Sequence, residues 1–113
     1  MRLAQAFSHM DHCNRDLRSV MQRFEKTTTR LARRVGGGAL VVEAVRDVTG
    51  LVRLQELSEA EKAFEVARHR ARVALFALAV EQGTNLSEMG RALGISRQLA
   101  SRLGAEAAGL EQT

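Results

Sequence analysis

From Asn85 to Leu103 the chain reads cap, helix, turn, cap, helix, and a close pair of short helices is the backbone that satisfies this order. Asn85 offers a side-chain oxygen to the free N–H groups of a first helical turn, and Glu88 three positions on can return a bond to the cap residue's own N–H. The spacing predicts a helix from about Leu86 to Leu93. Gly94 ends it, because glycine enters the left-handed region without the Cβ penalty that other residues meet. Ile95 then drops between the helices, and Ser96 caps the next one. Within the first helix Gly90 permits close approach of a second, while Met89 and Leu93 are spaced to face inward.

Sorted at about 100° per residue, the second helix divides cleanly. Arg97, Ser101, Ala105, Gln98 and Arg102 fall in an arc of roughly 140°, and Leu99, Leu103, Ala107, Ala100 and Gly104 occupy the other side. The polar arc holds the side chains that read base edges: arginine bonds guanine O6 and N7, glutamine bonds adenine N6 and N7, and serine serves in either role. Ala105 is small enough to let such a helix lie deep in a groove, where it can meet a thymine methyl.

On these residues the segment from about Arg72 to Ala108, above all Leu93-Gly94-Ile95-Ser96-Arg97-Gln98, resembles the tri-helical, homeodomain-like helix-turn-helix domains of bacterial regulators, including the promoter-reading domain of sigma factors. The resemblance covers about a third of the chain. It implies contact positions at Ser96, Arg97, Gln98, Ser101 and Arg102, with Gly90 as the small residue of the first helix and Gly94 as the turn glycine. At Ala100 the chain departs from the pattern, since many such domains carry a larger branched residue there.

Length and composition suit a small regulator. The 113 residues, without proline and 45% apolar, can build one modest helical domain and an extension. A formal charge of +4 favours a polyanionic partner. The single cysteine, Cys13, excludes an internal disulfide framework and suits a reducing cytoplasm. The N-terminus lacks the apolar core of a signal peptide, and no segment approaches the ~20 apolar residues of a membrane span.

The charge is uneven. Residues 1–35 carry eight Lys or Arg against three Asp or Glu, whereas residues 36–113 carry nine against ten. In the same N-terminal segment Leu3, Phe7, Met10, Asn14, Leu17, Met21, Phe24, Thr28, Leu31 and Val35 alternate in steps of four and three, the spacing that keeps one seam on a partner helix. Val20 is the main large apolar residue off that seam. Asn14 and Thr28 fall at a positions, and an asparagine there often fixes register and strand number. The residues flanking the seam, among them Ala4, Ala6, Asp11, Cys13, Arg18 and Val20, do not supply the charge pairs of a parallel zipper. Two arrangements fit: pairing of this helix between chains through Leu3, Phe7, Met10, Asn14, Leu17, Met21, Phe24 and Leu31, or packing within one chain.

Gly36-Gly37-Gly38 marks a hinge or tight loop. No Lys-Ser or Lys-Thr pair follows it, so it is not read as a phosphate-cradling loop. Beyond it Val41, Val45, Val48 and Val52, with Ala44 and Leu51, mark a helical face from about Ala39 to Leu57; a hairpin centred on Thr49-Gly50 is the rival. Ser58 and Glu61 match a capping box that opens a helix from about Glu59 to Gln82, ended by Gly83, with Phe64, Ala67, Ala71, Leu75 and Leu78 inward. Arg68, Arg70 and Arg72 on this helix, and Arg91 on the next, are candidate phosphate contacts. Asn85, Ser96, Arg97, Gln98, Ser101, Arg102 and Ala105 are the candidate DNA-binding residues.

His9, His12, Cys13 and Asp16 invite a metal reading, but no second cluster completes a structural zinc site. Paired-carboxylate, nucleophile and cofactor-loop patterns are lacking, so neither an enzyme nor a cofactor is expected. Together these observations imply an all-α chain: a basic amphipathic helix over residues 1–35 for dimerisation or as a DNA arm, a glycine hinge at 36–38, and a helical domain over 39–113 ending in a helix-turn-helix at 85–108. A wing is not expected, because ten residues follow Leu103. The expected role is a cytoplasmic, nucleoid-associated transcriptional regulator that reads double-stranded DNA as a homodimer on an inverted repeat. The alternatives are a low-specificity architectural or segregation protein, or an adaptor that engages a protein of the transcription machinery.

Overall fold

Five α-helices and no strand occur among the described residues, in agreement with the all-α reading. The computed structural model describes residues 2–48 and 54–111. The helices are α1 (Leu3–Gly36), α2 (Val41–Asp47), α3 (Leu54–Glu81), α4 (Leu86–Leu93) and α5 (Arg97–Glu111). Among the described residues no helix is long and apolar enough to cross a membrane. The contacts divide the chain into two units, one built from Met1–Met10 with Val66–Thr113 and the other from Asp11–Glu65. Both α1 and α3 contribute to each unit.

In the first unit Val73 and Phe76 of α3 meet Ala100, Leu103 and Ala107 of α5, and Leu86, Met89, Ile95 and Leu99 pack against this cluster. Phe76 and Leu103 are its largest fully buried side chains. Each stabilises the unit by about 1.5–3 kcal/mol relative to exposure. A second cluster joins Ala6 of α1 to Ala71 and Ala74 of α3, with Leu3, Phe7 and Met10 packed on it. The start of α1 therefore packs within its own chain.

In the second unit Cys13, Val20, Ala44, Val48 and Ala60 are buried. Arg34 pairs with Asp47, and Arg23 Nη2 lies 2.8 Å from Glu56 Oε1. Both pairs are solvent-exposed, so each contributes at most ~1 kcal/mol.

Several expectations need correction. Along α1 the buried residues are Ala6, Cys13 and Val20, seven apart, with Leu3, Met10, Leu17, Phe24 and Leu31 half-buried beside them. The column buried within the chain lies one position before the expected second column, of which Asn14, Met21 and Val35 stand exposed and Phe7 and Thr28 are half-buried. Small residues allow helices to approach closely, and they weigh little when apolar bulk is counted. The Thr27-Thr28-Thr29 run stays helical, its first two hydroxyls donating to the carbonyls of Arg23 and Glu25.

The glycine run forms a closed turn. Gly38 has φ +99°, its N–H bonds to Val35 O, and Ala39 N–H bonds to Arg34 O, the paired pattern that satisfies the last carbonyls of a helix. In α2 the inward residue is Ala44, joined by the C-cap Val48, while Val41 and Val45 are exposed. Thr49, Gly50, Leu51 and Val52, on which the hairpin alternative and part of the valine face depended, lie outside the described residues. Helix α3 starts at Leu54, so Ser58 and Glu61 are interior to it and cap nothing. Gln55 Nε2 bonds Glu59 Oε1 at 3.4 Å across the turn where the helix was expected to begin. On α3, Leu78 is exposed, and the inward positions are taken by Ala67, Ala71 and Ala74 on one face and by Val73 and Phe76 on another.

Candidate nucleic-acid interface

The α4–α5 corner is built by local chemistry. Asn85, in extended backbone, accepts from Glu88 N–H at 2.8 Å and closes the first turn of α4. The return bond differs from the expected one: Asn85 Nδ2 donates to Glu88 Oε1 at 2.9 Å. Gly94 ends α4 with φ +70° and ψ 30°, and Ile95 N–H bonds back to Gly90 O at 3.0 Å. Ser96 Oγ accepts from Leu99 N–H at 3.1 Å and starts α5. Met89 faces the core as expected, whereas Leu93 at the exposed end of α4 does not.

Small residues set how closely the two helices meet. A Cβ on Gly90 would lie 3.2 Å from Ala100 Cβ, and one on Gly104 would lie 2.6 Å from Leu86 Cδ1. This contact accounts for the alanine at 100: its neighbour across the corner is the backbone of α4 at Gly90.

The inner side of α5 is thereby fixed. Ala100, Leu103, Gly104 and Ala107 are buried and Leu99 is half-buried, while Arg97, Gln98, Ser101, Arg102 and Ala105 are exposed. The arc sorted from sequence and the observed exposure coincide. Arg97, Gln98, Ser101 and Arg102 line one shallow depression on the surface. Among the described residues no hydrogen bond or ion pair engages Arg97 or Arg102, so both guanidinium groups are open to a ligand. Glu106 points away from them and holds His69 of α3, with Oε2 2.7 Å from Nε2.

A more enclosed groove of about 600 Å³ runs between α4 and α5, and Ser87, Arg91, Arg97 and Ser101 supply its polar lining. Arg91 thus joins the α5 side chains. Ser87 was not singled out from sequence, although its place four residues before Arg91 puts both on one face of α4.

The three α3 arginines do not act as one group. At 100° per residue Arg70 is turned about 160° from Arg68 and Arg72. Neither of these two depressions lined by the α5 arc includes Arg68, Arg70 or Arg72. Asn85 is exposed, but its amide is engaged at both ends by Glu88.

No protein family, curated protein or solved structure matches the chain. The chemistry of this corner therefore carries the functional reading.

In α1, Cys13 is buried while His9, His12 and Asp16 are exposed, which splits the cluster considered for a metal. Of the seam residues, Leu3, Phe7 and Met10 lie on Ala6, Ala71 and Ala74 in the same chain. Asn14, Leu17, Met21, Phe24 and Thr28 line an open groove that Leu57 and Glu61 of α3 complete.

Proposed function

We propose that the chain is a sequence-specific DNA-binding transcriptional regulator in which α3, α4 and α5 form a helix-turn-helix and α5 enters the major groove. The observation that carries this reading is the grouping of Arg97, Gln98, Ser101 and Arg102 in one exposed depression on a helix whose other side packs into the core through Ala100, Leu103 and Ala107. Two guanidinium groups, an amide and a hydroxyl within one helical face form a donor and acceptor set suited to base edges.

Arg97, Gln98 and Arg102 read bases, with Ser101 beside them and Ala105 against the groove floor. Ser96 retains a hydroxyl proton for a phosphate at the N-terminus of α5, where unpaired N–H groups also favour an anion. Arg91 and Ser87, across the groove from Arg97, hold the adjacent backbone. Asn85 is left to its capping work. A homodimer would place two such helices about one helical turn apart on an inverted repeat.

Selection of bound sequences from a random duplex pool tests the proposal. The expected result is a recovered motif with at least about a thousandfold preference over random duplex. Recovery of unpatterned DNA with steep salt dependence would replace it by the architectural reading, and no duplex binding even at low salt would replace it by the adaptor reading.

A further inference from the structure

The exposed groove on α1 repeats with the pitch of a helix, and it is incompletely covered by its own chain. Its lining residues Asn14, Leu17, Met21, Phe24 and Thr28 follow one another in steps of three and four, and Leu57 of α3 completes the apolar floor. Met21 is 53% exposed, whereas Val20 one residue earlier is 5% exposed. Helix α1 thus carries two adjoining seams that share Leu17 and Phe24. Cys13 and Val20 serve the interior, whereas Asn14 and Met21 are exposed and Thr28 is half-buried.

We infer that the occupant of this groove is α1 of a second copy of the chain, lying antiparallel, with Met21 and Phe24 of each copy meeting near the two-fold axis. The inference deepens the two-fold pairing proposed above and rests on that part of the reading, not on base recognition by α5. An isologous contact needs a surface complementary to itself, and this one is. With Asn14 and Met21 at a and Leu17 and Phe24 at d, Arg18 and Glu25 both fall at e, seven residues apart and opposite in charge. In an antiparallel pair e faces e, so each Arg18 meets Glu25 of the second copy, and the two-fold axis repeats the pair once. In a parallel pair e faces g, and the g residues Cys13, Val20 and Thr27 are uncharged, the first two buried by their own chain. Charge and burial therefore select the antiparallel form. Arg18 and Glu25 both line the groove.

Sedimentation equilibrium of the full chain without DNA tests the inference. The wild-type protein is expected to show a two-chain mass at micromolar concentrations. Met21→Glu should give a one-chain mass while its far-UV circular dichroism stays unchanged, since the site is exposed within a chain. Arg18→Glu and Glu25→Arg should each weaken association at least about tenfold, and Arg18→Glu combined with Glu25→Arg should recover most of it. A one-chain wild-type mass, a two-chain mass for Met21→Glu, or charge-reversed single variants that associate as tightly as wild type would each overturn it. Failure of the double variant to recover association would overturn the antiparallel register. None of these outcomes touches the α5 reading, which the duplex selection tests separately.

Discussion

Gly104 of α5 faces Leu86 of α4 so closely that a Cβ on the glycine would lie 2.6 Å from Leu86 Cδ1 and 2.7 Å from Cδ2. Gly104 is therefore a packing residue, although glycine costs an ordinary helix interior about 1 kcal/mol relative to alanine. Gly104→Val removes that helical penalty only in part and drives two methyl groups into Leu86. Overpacking of this kind costs about 1–3 kcal/mol, so a lowered Tm is expected. Leu86→Ala in the Gly104→Val background should show favourable coupling in a double-mutant cycle, because it opens the space the valine needs. Additive losses would mean the two residues do not share that space.

Gly94 is constrained by backbone and not by space. Its φ of +70° is left-handed, and no atom lies within 4 Å of a Cβ built there. Gly94→Ala should therefore lose about 1–2 kcal/mol, from the left-handed penalty alone. Gly94→Asn should lose less, since asparagine tolerates this region. Equal losses measured by urea unfolding would point to a steric cause instead.

How much of this was legible in the sequence depends on the range of the interactions. The α4–α5 corner could be read almost residue by residue, because caps, turn glycine and the two sides of α5 are set within a few positions. Helix α1 was legible as a helix, but its column buried within the chain was not: Ala6 is buried against Ala71 and Ala74 although Phe7 is larger, and Val20 is buried where Met21 is exposed. Ser58 and Glu61 show the converse failure, since a local cap pattern was overridden by a helix that begins at Leu54. Grouping of Ser87 with Arg91 and Arg97 needed the crossing of two helices, which no local pattern contains.

The displaced seam makes an opposite prediction from the one apolar counting would make. Ala6 is 1% exposed and meets Ala71 and Ala74, so Ala6→Leu has no room despite adding apolar surface to an amphipathic helix. A loss of about 1–3 kcal/mol is expected in thermal or urea unfolding. A stabilised Ala6→Leu variant would return the inward face to the Phe7 column.

On the proposed interface, Arg97 and Arg91 line one groove from different helices and should fail differently when removed. Arg97→Ala removes a base-reading guanidinium, and about 1–3 kcal/mol of discrimination should vanish at one position of the selected site, with weak binding to random duplex little changed. Arg91→Ala removes a backbone contact, so affinity should fall nearly equally for selected and random duplexes. The slope of log affinity against log salt should then shrink by about one unit. Binding titrations of both variants on both duplexes, across a range of salt, separate the two roles. If Arg91→Ala relaxed sequence preference while Arg97→Ala changed only the salt slope, the roles would be exchanged and α4 would be the helix that reads sequence.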